Sequence, residues 1–405
     1  MRNEKTTLCS KIKDIVISTF CMAQSEVDRQ EIGQSIERIK RGLRFALNGL
    51  VDRDAIAQLI LFGAITQEHL LLIGPPGTAK SEVVKRIAAI LGGSYFEYLL
   101  GKFTEPSELF GPIDLNKLQE GRFETQTEGM LPEADFVFLD EVFLASSAIL
   151  NTLLTVLSDR TFRRGHTQLT CPLKICVGAS NNLPKDSTLS AFSDRFLLTY
   201  FVEPVSDSQI ETLLSNGWQL SRRSPAVPNF NLSEDLANLQ QWMDAVDISA
   251  VVPHMAEMIR GLRSQTVIIS DRRKTKLTKL VAASALLEGR TIATERDIWP
   301  IVYAIQEVQQ QAIAQQYISD HFGLVAQHSL FGEAAHEAVG TVQSLESVLI
   351  SRSEQLLANG DSRQTQAQAE SLLKQIDASF AVGSQSAALS AIRQRLIETV
   401  RRQAN

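Results

Sequence analysis

Two stretches of this 405-residue chain have the residue types and spacing to grip a nucleoside triphosphate together with its divalent cation. In Gly74-Pro75-Pro76-Gly77-Thr78-Ala79-Lys80-Ser81, small residues let backbone N–H groups approach phosphate oxygens at the start of a helix. The Lys80 ammonium supplies charge for the β- and γ-phosphates, and the Ser81 hydroxyl is a ligand for Mg²⁺. The pattern is G-x-x-x-x-G-K-[ST] with Ala79 in place of the second glycine. Because alanine disfavours positive φ, the loop is predicted to be right-handed at Ala79. Further on, the apolar run Phe136-Val137-Phe138-Leu139 ends in Asp140-Glu141. Asp140 suits the water shell of Mg²⁺, and Glu141 suits a general base that polarises an attacking water.

Three more positions could serve the same chemistry. Asn181, in Ala179-Ser180-Asn181-Asn182, ends another apolar run and can hold the attacking water or the γ-phosphate; an Asn-Asn turn is the alternative. Arg195, in Ala191-Phe192-Ser193-Asp194-Arg195-Phe196, could reach the γ-phosphate of a neighbouring copy, or form a surface ion pair with Asp194. Ser270-Asp271-Arg272-Arg273 opens a helical pattern, and a guanidinium there could close over the nucleotide from a lid. Spacing does not choose between Arg272 and Arg273.

These residues need a parallel sheet to position them. Leu70-Leu71-Leu72-Ile73, Phe136 to Leu139 and Ile175-Cys176-Val177-Gly178-Ala179 are short, fully apolar runs, as buried parallel strands are. Helical patterns separate them: Ile36, Ile39, Leu43, Leu47 and Leu50 recur at three- and four-residue steps, and Asp52 to Phe62 reads as a second helix capped by Asp52 or Asp54. Val83, Val84, Ile87, Ala88 and Leu91 give the helix after the phosphate loop. The predicted fold class is therefore an α/β P-loop NTPase, a parallel sheet sandwiched by helices, followed by an all-α lid and a helical C-terminal region. The predicted organisation is a lead over 1–27, the nucleotide-binding core over 28–205, the lid over 206–305 and the helical region over 306–405. In the last, Val342, Leu345, Leu349 and Leu356 mark one helix, Leu372, Ile376 and Phe380 another, and Ile392, Leu396 and Val400 a third.

Composition excludes several classes. The formal net charge of -6 and sequence pI near 5.7 count against a nucleic-acid partner. No apolar run reaches the length of a membrane span, and no secretory cleavage site follows the N-terminus. Cys9, Cys21, Cys171 and Cys176 lack the neighbouring ligands of a metal site, so they read as buried reduced thiols of a cytoplasmic protein, and none of the six histidines is assigned chemistry.

The order of these motifs resembles the AAA+ superfamily and, more narrowly, its MoxR family, with the RavA type as the nearest branch. Four stretches carry the resemblance, over about residues 30–320: Gly74 to Ser81, Phe138-Leu139-Asp140-Glu141, Ala179 to Pro184 and Ser270 to Arg273. Ala79 is itself usual in that branch. The resemblance implies ATP and Mg²⁺ as ligands and a homo-hexameric ring with ATP at subunit boundaries. It implies Asn181 as sensor 1, Arg195 as the trans-acting finger and Arg272 as sensor 2. It also implies pore-facing loops at Gly101–Leu131 and in a hairpin at Arg160–Thr170. RavA-type proteins carry a C-terminal domain with strand content, whereas only helical patterns occur here beyond about residue 306. Three functions are expected in descending order. The first is a chaperone-like ATPase that remodels a client protein, with a von Willebrand A domain protein as the partner the resemblance implies. An MCM-like nucleic-acid motor or loader would rest on Arg160, Arg163 and Arg164. A nucleotide-gated scaffold is the third, and intact Lys80, Asp140, Glu141 and Arg195 argue against it.

Overall fold

A computed structural model describes residues 30–184, 186–222 and 230–322, together with 334–335, 337, 353, 369, 373 and 391–397. The expected lead over 1–27, Cys9, Cys21, and the helices drawn through Val342 and Leu349 and through Leu372 and Phe380 lie outside these residues.

Five parallel strands form the central sheet: β1 (Leu70–Ile73), β2 (Tyr95–Leu99), β3 (Phe136–Asp140), β6 (Ile175–Ser180) and β7 (Leu198–Phe201), in the order β2-β3-β6-β1-β7. Between β3 and β6 lies a separate antiparallel hairpin, β4 (Thr161–Arg164) and β5 (Thr167–Thr170), where a hairpin was expected. Side chains alternate along each strand, so the sheet divides two cores. Leu70, Leu72, Phe136, Phe138, Ile175 and Val177 face one of them. Leu71, Ile73, Val137, Leu139 and Cys176 face the other. β2 went unread in the sequence because Tyr95, Phe96 and Tyr98 are only half-buried and Glu97 and Leu99 are exposed, as on a sheet edge.

Helix α1 spans 30–46, and α2 (Asp54–Thr66) is buried at every position after the first, so it lies sandwiched within the core rather than on the surface. The expected acidic cap of α2 is absent. Its N-cap is Arg53, which makes no capping bond, and Asp52 turns with φ +57°. The reason is that Arg53 reaches into the phosphate loop, as described below. Helices α3 (Lys80–Leu91), α4 (Pro106–Phe110), α5 (Leu115–Gln119), α6 (Ser147–Asp159) and α7 (Ser187–Ser193) complete the α/β part. The helical part comprises α8 (Ile210–Arg222), α9 (Ser233–Met243), α10 (Val252–Ser264), α11 (Asp271–Leu287) and α12 (Val308–Phe322). Residues 391–397 are helical, as expected around Ile392 and Leu396. No described helix is long and apolar enough to cross a membrane.

The strands begin at an edge stitched by His69. Its Nδ1 accepts from the Cys176 N–H at 3.0 Å, and its Nε2–H donates to the Leu157 carbonyl at 2.9 Å. The ring is thus held neutral, and burial, followed by the Arg160 charge, pushes its pKa well below the ordinary value. A folded-state pKa below the unfolded one means that the unfolded chain binds the extra proton. The stability that His69 contributes is therefore present above about pH 6.5 and is lost as pH falls below it. Urea midpoints measured from pH 7.5 to 5 should fall with pH, and His69→Gln should flatten that slope while lowering stability at pH 7.5 by about 1–3 kcal/mol. An unchanged slope in the variant would show that His69 does not control it.

Candidate nucleotide site

All five strands end at one edge, where Ile73 pairs in register with Ser180 and Phe201, and Leu99 with Asp140. The residues that follow β1, β3 and β6 are Gly74, Glu141 and Asn181, so the three motifs converge at the carboxyl ends of a parallel sheet, where such folds bind ligands.

The phosphate loop runs from β1 into α3. At Gly74 a side chain would strike the Val202 carbonyl, with a Cβ only 2.3 Å from its oxygen. Gly77 has φ +78°. Ala79 is the correction: it is left-handed, with φ +59° and ψ +25°, and not right-handed as its side chain led us to expect. The geometry that aims successive N–H groups at one anion requires alternating hands of backbone twist, and it prevails over the strain of about 1–2 kcal/mol. Ala79→Gly should therefore stabilise the folded chain by roughly 0.5–1 kcal/mol in urea unfolding, the relief being partly offset by the freer unfolded chain. A loss of stability would contradict the left-handed assignment.

Lys80 is buried, and its Nζ donates to the carbonyls of Gly74 at 2.8 Å and Pro75 at 2.9 Å, folding back on its own loop. Burial lowers its pKa, while the charges of Asp140 and Glu141 oppose that shift. The loop is clamped from behind by buried Arg53, whose Nε donates to the Thr78 carbonyl at 2.8 Å and whose Nη2 donates to that of Glu203 at 3.3 Å. Sequence reasoning missed Arg53: nothing distinguishes one arginine between helical patterns. Beside Pro76 and Thr78 opens a cavity of about 410 Å³ with apolar walls from Leu50, Val51, Val205, Leu213 and Leu220, also unseen in the sequence. A larger cleft of about 780 Å³ beside α1 holds none of the motif residues.

Asp140 closes β3, and Glu141 turns left-handed after it, with φ +51°. That turn, rather than the strand's pleat, brings both carboxylates to the same edge, and the Glu141 N–H donates to Asp140 Oδ1 at 3.0 Å. Asn181 Nδ2 donates to Glu141 Oε1 at 2.8 Å. Ser81 sits half-buried in the first turn of α3. Its hydroxyl and the Asp140 carboxylate are a hard, all-oxygen donor pair, which fits Mg²⁺.

The two arginines lie elsewhere. Arg195 precedes β7 and so stands at the opposite edge, where the strands begin; four residues of strand put roughly 13 Å between the two edges. Arg272 lies with it. Its Nη2 donates to Ser158 Oγ at the end of α6 at 3.0 Å, and its charge helps lower the pKa of Arg195, after burial. A guanidinium closing over a nucleotide from the lid was the expectation; in this chain Arg272 stands beside Arg195, at the edge where the strands begin. Arg195 makes no side-chain hydrogen bond or ion pair among the described residues, and its Nε is buried without a partner. The alternative pairing with Asp194 does not form, because Asp194 is taken by Arg273 at 2.8 Å.

A five-stranded parallel sheet with a phosphate loop, an acid pair and a helical lid defines an AAA+ nucleotide-binding module. The chain belongs to the MoxR family of AAA+ ATPases: residues 37–241 match the MoxR domain of the MoxR-vWA-beta-propeller ternary systems, and residues 247–318 match an AAA lid domain. Two uncharacterized proteins of Methanocaldococcus jannaschii are 33% and 34% identical, over 66% and 63% of this chain and 69% and 68% of theirs. The chaperone MoxR1 of Mycobacterium tuberculosis is 23% identical over 52% of this chain and 55% of its own. A crystal structure of a proposed ATPase from Cytophaga hutchinsonii shares the fold, with a TM-score of 0.60 at 19% identity, covering 74% of this chain and 98% of that one.

Proposed function

We propose that the chain hydrolyses Mg²⁺–ATP to ADP and phosphate within a homo-hexameric ring, and uses the resulting motion to remodel or activate a client protein. The observation that carries this reading is the convergence of Lys80, Asp140, Glu141 and Asn181 on one sheet edge, with Glu141 and Asn181 in contact. The 410 Å³ cavity accepts the base, and its apolar walls suit a purine face. Loop N–H groups from Gly74 to Ser81 hold the phosphates; Lys80 exchanges the Gly74 and Pro75 carbonyls for phosphate oxygens. Ser81 and Asp140 hold Mg²⁺, which neutralises charge on the phosphates when bound. Glu141 takes the proton of the attacking water, and Asn181 orients Glu141 or that water. Arg195 and Arg272, at the far edge, act on the site of the next copy.

The match to a domain named for MoxR-vWA-beta-propeller systems supports a von Willebrand A domain protein as partner, and the RavA-type branch rests on the resemblance of the four motif stretches alone. Use of ATP favours the cytoplasm as its location. The nucleic-acid alternative loses ground, because two of its three hairpin arginines are engaged internally. Arg160 donates to the Gln67 carbonyl at 2.6 Å, and Arg164 to that of Gly111 at 3.1 Å.

The test is phosphate release by the full chain with Mg²⁺–ATP, beside Lys80→Ala. Release by the wild type and none by the variant is expected. No release from an assembled, folded wild type would remove the hydrolase reading and leave a nucleotide-gated scaffold.

A further inference from the structure

The buried arginine next to the one discussed as sensor 2 has a different setting. Arg273 is 3% exposed and its guanidinium grips the turn that carries Arg195 from several sides. Nε donates to Asp194 Oδ1 at 2.8 Å, and Nη1 donates to the Leu197 carbonyl at 3.2 Å. Nη2 donates to the carbonyls of Phe196 and, at 3.5 Å, Ser193. Residues 193, 194, 196 and 197 are thus all bonded to one side chain, and only Arg195 between them is left out. The same guanidinium donates to the Ala304 carbonyl at 2.6 Å, in the buried segment Trp299–Ala304 that packs on α11 and β7. Ser270 Oγ, the cap of α11, donates to the same carboxylate oxygen, Asp194 Oδ1, at 3.2 Å.

We propose that Arg273 is a positioning residue for Arg195: it fastens the 193–197 turn to the lid, turns the Asp194 carboxylate away from Arg195, and so presents the Arg195 guanidinium to a neighbouring copy. Two features of the geometry require this arrangement. Without Arg273, Asp194 is the adjacent anion to Arg195 and would neutralise it, by the ion pair that the sequence alone allows. The turn also offers several acceptors that a planar five-donor group satisfies together and that a lysine ammonium, with three donors at one point, does not. Because α11 supplies Arg273, any shift of the lid moves the turn, so that the state of one copy's lid reaches the next copy's phosphates. The inference rests on the reading of Arg195 as acting across a subunit boundary.

Complementation between two inactive variants separates the roles. Lys80→Ala copies cannot hold nucleotide and retain a correctly placed Arg195. Arg273→Lys copies retain their phosphate loop. Arg273→Lys alone should fold, keep its KM for ATP within about threefold and lose kcat by about 10–100-fold, the range expected when a catalytic group is misplaced by an ångström or so. Mixed one to one with Lys80→Ala, it should regain activity well above the sum of the separate proteins, since about a quarter of the sites then pair an intact loop with an intact donor. Arg273→Gln, which likewise cannot satisfy all the acceptors of the turn and leaves Asp194 free, should behave in the same way, and it serves if Arg273→Lys does not fold. Undiminished kcat in Arg273→Lys would overturn the proposal. So would a failure of either variant to recover on mixing while Arg195→Ala recovers with Lys80→Ala: Arg273 would then serve its own copy or the fold alone. If Arg195→Ala itself neither loses activity nor complements, the reading of Arg195 fails, and this inference falls with it.

Discussion

Arg195→Ala is expected to lower ATP turnover by about 10³-fold or more, while ATP binding changes by less than about threefold. The asymmetry follows from where the guanidinium sits. It stands at the edge where the strands begin, and the phosphate loop lies at the other edge, a strand length of roughly 13 Å away, so its removal leaves the binding surface of Gly74 to Ser81 untouched. Nothing within the chain engages it among the described residues, so the substitution breaks no internal bond and should leave the unfolding midpoint nearly unchanged. On the proposed reading, what it removes is positive charge that the neighbouring site uses as the γ-phosphate departs. Steady-state phosphate release alongside titration with a fluorescent ATP analogue measures both quantities. A variant that binds ATP poorly but turns it over normally would place Arg195 in binding, and one unaffected in both would remove it from the site.

Glu141→Gln is expected to have the second large effect: hydrolysis slowed by about 10²–10⁴-fold, with Mg²⁺–ATP still bound. The left-handed turn that places Glu141 beside Asp140 depends on backbone and not on the carboxylate. The amide oxygen of the substituted side chain can still accept from Asn181 Nδ2, as Glu141 Oε1 now does at 2.8 Å. Geometry is therefore kept and only basicity is lost. Held in its ATP state, the variant should also hold its client. Recovery from lysate with ATP, against Lys80→Ala, should yield a specific protein that the control lacks, with a von Willebrand A domain protein as the expected companion. Wild-type turnover in Glu141→Gln would assign the base elsewhere, and nucleic acid as the sole nucleotide-dependent companion would favour the motor reading.

What could be read from the sequence divides along a physical line. Leu70 to Ile73, Phe136 to Leu139 and Ile175 to Ala179 were legible because strands buried on both faces admit only apolar residues, and the phosphate loop because its pattern is local and contiguous. Asn181 and Glu141 could be listed separately but not paired, since their contact depends on the register of β3 with β6. The hand of Ala79 was misjudged by weighing the residue's preference without the anion geometry that overrules it. Arg53 and the apolar cavity were invisible because they join residues that the sequence keeps far apart, Leu50 with Val205 and Leu220, Arg53 with Thr78. The choice between Arg272 and Arg273 was undecidable for the same reason. The two share one helical turn and one chemistry, and only the tertiary contacts bury one and expose the other.

The separation of the phosphate loop and Arg195 to opposite edges of the sheet also governs how activity should scale with amount of protein. If Arg195 serves a neighbouring site, contacts between copies would run head to tail, and such contacts either close into a ring or leave two unmatched ends. On the proposed reading, a solitary copy would bind ATP with its own groups and lack the arginine that a neighbour must supply to break it. Dilution should therefore extinguish turnover per chain well before it affects nucleotide occupancy, and any open chain of copies should always contain one idle site.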